Sequence, residues 1–255
     1  MMYKIIDHSP TDPGGNKYAD ELSRDYRASV LSGAAKQVLK TFSQKEGEGK
    51  KYDMVTLQIE RFAQSPHAIA STEDNVIRLN ADYLRRYRGD IKEEFAGVVY
   101  HEMTHVWQWT GHGMAPAGLI NGIADYVRLK AGYASKGWPR RGSGSRWDEG
   151  YAVTAYFLDY CNGLKHGFVA ELNALMKDSY SEVFFVELLG KFVHQLWRDY
   201  KLAYGTARIP EGKEGYPKPY TRTRPFDNYV PWKTDDEPKS DAYLKYLEYN
   251  NYFLL

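Results

Sequence analysis

The sequence HEMTH at residues 101–105 constrains this chain more than any other feature, because it lies inside a helical pattern of apolar residues. Residues four apart on an α-helix share one face, so His101 and His105 are predicted to lie one turn apart and to point the same way. Their ring nitrogens could then reach one metal ion at about 2.0–2.1 Å. Glu102 is displaced around the helix, where it would contact a water rather than the metal. The segment therefore predicts two metal ligands and a general base on a single helix.

These residue types in this order are typical of metal-dependent hydrolysis. We expect zinc, although another divalent ion would fit the same ligands, and zinc lowers the pKa of its bound water to about 7. Glu102 would take a proton as that water attacks an amide carbonyl, and would pass the proton to the leaving amine. The sequence thus predicts a zinc-dependent hydrolase that resembles a metallopeptidase.

Two kinds of hydrophobic spacing divide the chain. Before HEMTH, the residues alternate as they do in strands, and the predicted strands are 3–9 (at a sheet edge), 54–60, 67–71 and 75–80. One helix is predicted among these strands, at 20–44. Helical spacing dominates from about residue 90 to 204, where the predicted helices, besides the one carrying HEMTH, are 117–132, 149–161, 164–177 and 181–204. Strands mixed with helices, followed by a helical half, predict an α+β fold with a small mixed sheet.

A third metal ligand is expected from the amphipathic helix at 117–132. Asn121, Asp125 and Arg128 share one side of it, and that side would face the two histidines if the helix folds back. In thermolysin-type zinc sites a glutamate on such a helix is the third ligand, and an aspartate four residues later orients the first histidine. By that template Asp125 takes the orienting role and Asn121 occupies the ligand position. Asp125 itself and His112, which lies in a Gly-bounded loop just past HEMTH, are the alternative third ligands.

Two long blocks of the sequence resemble the basic secretory proteins of plants, also called the peptidases of plants and bacteria. The first block is FAGVVYHEMTHVWQWTGHGMAPAGLINGIADYVRLKAGYA, and the second runs from RWDEGY to the end of LWRDYK, within a resemblance that covers about residues 3–205. The resemblance implies a zincin-like metallopeptidase fold, in which a small sheet lies over the H-E-x-x-H helix and a helical lobe follows. It also implies secretion, with His101 and His105 as metal ligands and Glu102 as the base.

The resemblance extends the candidate site to one further residue. WDEGY, residues 147–151, matches a block of the family, which implies that Asp148 or Tyr151 lines the cleft, with Tyr151 as the donor to an oxyanion. The predicted strand 75–80 is expected to bind an extended peptide substrate by strand addition at the edge of the cleft.

Two positions differ from the family's pattern. The family has glutamate where this chain has Asn121, and an amide oxygen is a poorer zinc ligand than a carboxylate. His112 stands where the family has a small polar residue. Three functions follow: a working zinc hydrolase, a metal site of His101, His105 and His112 that acts on a small molecule, or an inactive relative that binds a partner.

The composition narrows the range of partners. Lys and Arg total 34 and Asp and Glu 33, and this balance argues against a nucleic-acid or anionic-membrane surface. No apolar run approaches the ~18 residues of a membrane span, and the single cysteine, Cys161, excludes an internal disulfide. We expect a monomer that acts on a peptide or a small molecule.

The N-terminus lacks the apolar segment of a secretory signal, so the chain as written would stay in the cytoplasm; a secreted protein whose signal had been removed would read the same.

The composition also predicts how the chain is divided. Residues 1–205 are predicted to form the zincin-like domain. Residues 206–255 hold six of the eleven prolines together with many tyrosines, and they are predicted to form an extended arm that packs on that domain. The segment 138–146, WPRRGSGSR, is typical of a flexible basic loop.

Overall fold

The computed structural model describes most of the chain, namely residues 1–8, 17–44 and 49–205. The predicted arm at 206–255 lies outside these described residues, so its packing stays a prediction. Within the described ranges, no helix combines the length and the apolar character that crossing a bilayer requires.

The chain divides into two compact units. The first consists of Met1–Gln108 and Ile123–Trp138, and the second of Trp109–Gly122 and the chain from Pro139 onward. Strands and helices mix in the first unit, whereas the described part of the second is built from helices. The predicted α+β fold with a small mixed sheet is confirmed.

The first unit contains a four-stranded sheet, whose strands are β1 (Met2–Asp7), β2 (Met54–Glu60), β3 (Ala70–Glu73) and β4 (Val76–Asn80). Their order is β1-β2-β4-β3; β1, β2 and β4 are parallel, and β3 runs antiparallel to β4. β3 and β4 form a tight hairpin through Asp74, whose φ of 51° lies in the left-handed region that such turns use. The predicted edge position of β1 is confirmed, and β3 forms the opposite edge.

The order of strands corrects one prediction. Strand 75–80 was expected to receive an extended peptide, but β4 lies between β2 and β3 and its backbone is paired on both sides. Its apolar residues Ile77 and Leu79 are fully buried, as expected of an inner strand. The adjacent edge of the sheet belongs to β3.

The HEMTH residues lie on the first long helix that follows the sheet. Helices α1 (Lys17–Glu21), α2 (Arg24–Thr41) and α3 (Ala81–Arg86) precede it, and α4 spans Ile91–Trp107. Asp90 caps α4, because its Oδ1 accepts hydrogen bonds from the backbone N–H groups of Lys92 and Glu93. The apolar stripe of α4 is buried, and the helix packs against α2, β3 and β4. This packing fixes the face of α4 on which the histidines lie.

Two predicted helices are each divided in two in the structure, and others shift their bounds by a few residues. The helix predicted at 20–44 is two helices, because Ser23 leaves helical geometry and caps α2 by accepting from the N–H of Tyr26. After α5 (Ala117–Lys130) and α6 (Tyr151–Leu164), the helix predicted at 164–177 begins only at Phe168, as α7 (Phe168–Leu175), behind Gly167 at φ 86°. The helix predicted at 181–204 is α8 (Val183–Leu189) and α9 (Val193–Ala203), separated by Gly190, which ends α8 at φ 67°.

In the second unit the start of α5 packs unusually closely on residues 147–154. A Cβ atom on Gly118 would overlap the carbonyl oxygen of Asp148, and one on Gly122 would overlap the side chain of Thr154. Thr154 itself accepts a hydrogen bond from the N–H of Gly150 and donates to the carbonyl of Trp147, each at 2.8 Å. Glycine is therefore required at two positions, one turn apart, on this face of α5.

Replacing Gly118 by alanine should destabilise the protein. The added methyl group would meet backbone atoms, which cannot rotate away, so we expect the free energy of unfolding to fall by about 1–3 kcal/mol. Urea denaturation followed by circular dichroism measures this change. Gly137→Ala is the matched control, because a Cβ there meets only Ser135 Oγ, at 3.8 Å; equal losses for the two variants would contradict the close packing.

The predicted flexible basic loop is tethered in the structure. In the segment 139–146, hereafter the Arg141 loop, the Arg141 guanidinium donates to Asp159 at 2.6 Å and lies 4.6 Å from the ring centre of Tyr156. The N–H of Gly142 donates to the buried hydroxyl of Tyr200 at 2.7 Å. The Gly and Ser content predicted flexibility, but these side-chain contacts with α6 and α9 hold the loop.

Candidate metal centre

The two histidines of α4 face each other through their Nε2 atoms. These atoms lie 3.2 Å apart, and the rings are inclined at 80° with their centres 4.9 Å apart. Two nitrogens that each bind one zinc ion at about 2.0–2.1 Å in tetrahedral geometry are separated by roughly 3.4 Å. The spacing of His101 and His105 therefore fits a single ion between them.

Each ring makes a hydrogen bond to a side-chain oxygen through its other nitrogen, Nδ1. His101 Nδ1 lies 2.7 Å from Oδ1 of Asp125, and His105 Nδ1 lies 2.9 Å from Oε1 of Gln108. An oxygen of a carboxylate or amide can only accept, so each Nδ1 carries the proton and donates. The Nε2 atoms are left with lone pairs directed at each other, which is the protonation state that metal binding requires.

The surroundings favour the neutral form of the second histidine. Burial lowers the pKa of His105 to about 3, and the neighbouring His101 ring acts in the same direction, while the hydrogen bond with Gln108 opposes them. His105 is therefore uncharged at neutral pH, with its Nε2 available as a ligand.

Glu102 lies beside this pair and is attached to the sheet. Its Oε2 accepts a hydrogen bond of 2.7 Å from the hydroxyl of Thr72, on β3, and its side chain is buried. Burial raises the pKa of the Glu102 carboxyl, whereas His101 and the Thr72 hydrogen bond act in the opposite direction. A carboxylate held in this way can accept a proton from a molecule next to the histidines.

Gln108 and Thr72 are site residues that the sequence reading missed. Gln108 follows His105 by three residues at the end of α4, a spacing at which helical side chains meet, so an i, i+3 search would have found it. Thr72 is 30 residues from Glu102 along the chain, and no local pattern signals that contact.

The other predicted site residues belong to the second unit. Asn121, on α5, donates its amide nitrogen to the carbonyl of Ala117 at 2.9 Å, back along its own helix. His112 is exposed, in the turn after α4, at φ 54°. Tyr151 is the first residue of α6, is 59% exposed, and has φ 44°, which is rare for a bulky residue. The structure thus brings His101, Glu102, His105 and Asp125 together in the first unit, and the roles of the other three stay predictions.

Comparison with known proteins assigns the chain to a family. Residues 1–200 match the family model described as "Peptidase of plants and bacteria". The chain belongs to this family. It is also 49% identical, over 59 residues, to a protein named "Basic secretory protease" from Boswellia serrata, a match that covers 23% of this chain and 67% of that protein. No solved structure matches the chain. The resemblance drawn from the two sequence blocks is confirmed, and the peptidase family supports a hydrolase-like function.

In this member of the peptidase family, the donors fit a divalent ion only in part. The facing lone pairs of His101 and His105 suit two positions of a zinc site. Among the described residues, no three His, Cys, Asp or Glu side chains are grouped so that they could hold a metal together. A ligand of another type, such as an amide oxygen, would have to supply a third position.

Proposed function

We propose that this chain is a zinc-dependent peptidase with a zincin-like helix, α4, on which His101 and His105 hold the ion and Glu102 is the general base. The observation that carries the proposal is the pair of Nε2 atoms 3.2 Å apart, with each Nδ1 atom turned to a buried oxygen. Because each Nδ1 atom donates to an oxygen, neither Nε2 carries a proton for the other, and both lone pairs are directed where a cation could bind them.

The reaction needs little from the chain besides orientation and proton transfer. When bound, zinc supplies Lewis acidity, which polarises a carbonyl group and lowers the pKa of water to about 7. Asp125 and Gln108 hold the two imidazoles in the required orientation. Glu102 accepts a proton at its carboxylate and returns it to the leaving amine, while Thr72 keeps that carboxylate in place.

The position of β3 supports a peptide as the substrate. Within the described residues β3 is paired with β4 alone, so its other edge offers backbone groups to which an extended peptide can add as a strand. Because Thr72 lies on β3 and bonds to Glu102, a peptide bound along this edge would run close to the base.

A second candidate is a relative without peptidase activity, in which the same residues bind a partner or act on a small molecule. The neutral residue Asn121 in place of the family's glutamate favours it, since two imidazoles and an amide hold zinc less tightly than a set that includes a carboxylate. His112, the predicted third ligand of such an altered site, is exposed in the turn after α4, and its role there stays a prediction.

The zinc content of two double variants tests whether the histidines of α4 hold the ion. We expect about one zinc ion per chain for the wild-type protein by elemental mass spectrometry after dialysis. The double variant His101→Ala, His105→Ala should lose it, because the facing nitrogens are gone. The matched control, His67→Ala with His166→Ala, removes two exposed histidines and should keep its zinc. Equal zinc in both double variants would refute the site.

A further inference from the structure

Two buried contacts join α5 to α4 within the first unit. The first is the contact of Asp125 with His101, in which Oδ1 lies 2.7 Å from Nδ1. The second lies about one turn further along α5, where Nη2 of Arg128 donates to Oε2 of Glu94 at 3.1 Å. The side chains of this ion pair are only 11% and 10% exposed, so water screens their charges little.

Further hydrogen bonds hold the ion pair on both sides. The hydroxyl of Tyr83, on α3, donates to Oε1 of Glu94 at 2.8 Å. Burial raises the pKa of that hydroxyl, and the bond to Glu94 acts in the same direction, so the hydroxyl keeps its proton and remains a donor. Nε of Arg128 donates to the carbonyl of Tyr133 at 2.8 Å. Both charged groups therefore have fixed positions.

Gly97 leaves the space in which the guanidinium lies. It follows Glu94 by three residues and precedes His101 by four, so all three share one face of α4. A Cβ atom at Gly97 would come within 2.6 Å of Nε and Nη2 of Arg128. The guanidinium therefore lies directly against the backbone of α4, and a side chain at position 97 would displace it.

The order of charges along the two helices permits only one register. Along α4 the carboxylate of Glu94 comes first and the ring of His101 follows, whereas along α5 the carboxylate of Asp125 precedes Arg128. Sliding α5 toward the start of α4 would bring two carboxylates together and take Arg128 away from its partner. Fixing a register is the best-attested use of a buried ion pair.

We propose that Glu94, Gly97 and Arg128 are positioning residues that set the register of α5 on α4, so that the carboxylate of Asp125 meets His101 in the orientation that metal binding requires. This inference rests on the proposed function, because the gain is a higher affinity of the histidine pair for zinc. The three residues act through Asp125 and are not ligands themselves.

The zinc affinity of two variants tests the positioning role. Glu94→Gln removes the charge that holds Arg128, whereas Gly97→Ala keeps every charge and places a methyl group where the guanidinium lies. Each should lower the affinity for zinc, added as zinc chloride and measured by competition with a chelator, at least about threefold. Alanine favours a helix over glycine, so a loss in Gly97→Ala would not come from a weaker helix.

A double variant shows whether the effect passes through Asp125. Asp125→Ala alone should lower the affinity for zinc about 10–100-fold. Adding Glu94→Gln to it should change the affinity by less than about twofold, because no carboxylate is left to position. The same loss from Glu94→Gln in both backgrounds would overturn the inference, since a general weakening of the fold acts whether or not Asp125 is present.

The matched control breaks another buried ion pair of the same unit. Asp7, on β1, pairs with the buried guanidinium of Arg27, on α2, at 2.8 Å. Asp7→Asn should keep the wild-type affinity for zinc within about twofold. A loss equal to that of Glu94→Gln would contradict a specific role for the pair between α4 and α5.

The readouts separate this inference from the proposed function. If the wild-type protein binds no zinc, the proposed function fails, and a crystal structure of metal-free Gly97→Ala then decides the positioning role. We expect the contact of Asp125 with His101 to lengthen beyond about 3.5 Å in that variant. An unchanged contact of 2.7 Å would overturn the inference. If zinc binds and both single variants keep the wild-type affinity, only the positioning role is refuted.

Discussion

Glu102→Gln should nearly abolish peptide hydrolysis while leaving zinc bound. The glutamine has the same size and can still accept the hydrogen bond of Thr72, but it cannot take up a proton, so kcat should fall about 10²–10⁴-fold. Turnover of a fluorogenic peptide measures the loss, and elemental analysis of the same sample measures the metal. The expected pattern is full zinc content with little activity.

The control for that variant is another glutamate of the same helix. Glu93 lies exposed in the first turn of α4, so Glu93→Gln should keep the wild-type rate. A Glu102→Gln protein that turns over at the wild-type rate would remove Glu102 from the mechanism. If the variant instead lost its zinc, the role of Glu102 would be to support metal binding and not to transfer a proton.

Asn121→Glu should strengthen zinc binding. On α5 residue 121 precedes Asp125 by one turn, and a carboxylate at this position would bring a negative charge to an ion otherwise held by neutral imidazoles. A contact between a carboxylate and the ion should contribute at least about 1.4 kcal/mol. We therefore expect the affinity for zinc to rise at least about tenfold. Competition with a chelator of known affinity measures the change.

A second glutamate elsewhere in the same unit shows whether the effect is local. Asn162→Glu, on α6, adds the same charge and should leave the affinity for zinc unchanged. Unchanged affinity in Asn121→Glu would mean that this residue is not a ligand. A gain of proteolysis would support the peptidase, whereas loss of a native reaction on a small molecule would support the altered site.

The parts of the site that depend on local spacing were predictable from the sequence. Helical periodicity places His101 and His105 on one face whatever surrounds them, and the apolar stripe of α4 fixes that face against the sheet. The contact of Asp125 with His101 was anticipated from the position of Asp125 on the next amphipathic helix, and the two atoms lie 2.7 Å apart. Its catalytic relevance stays a prediction.

Features that depend on strand order or on single backbone angles were not predictable. Alternation identified the strands but could not tell that β4 is inside the sheet and β3 at its edge, because order is set by long-range pairing. The apolar spacing through 181–204 continues across Gly190, so periodicity alone joined two helices that a left-handed residue separates. The contact of Thr72 with Glu102 was missed because it also joins residues that lie far apart in the sequence.

The tethering of the Arg141 loop has a consequence for the lifetime of the protein. Gly-, Ser- and Arg-rich surface segments are preferred sites of proteolytic nicking, because a protease must pull several residues of its target into an extended conformation. Here Asp159, Tyr156 and Tyr200 hold Arg141 and Gly142, so the loop must first detach from α6 and α9 before it can be cut. Tryptic attack after Arg140 or Arg141 should therefore be limited by local unfolding of this segment.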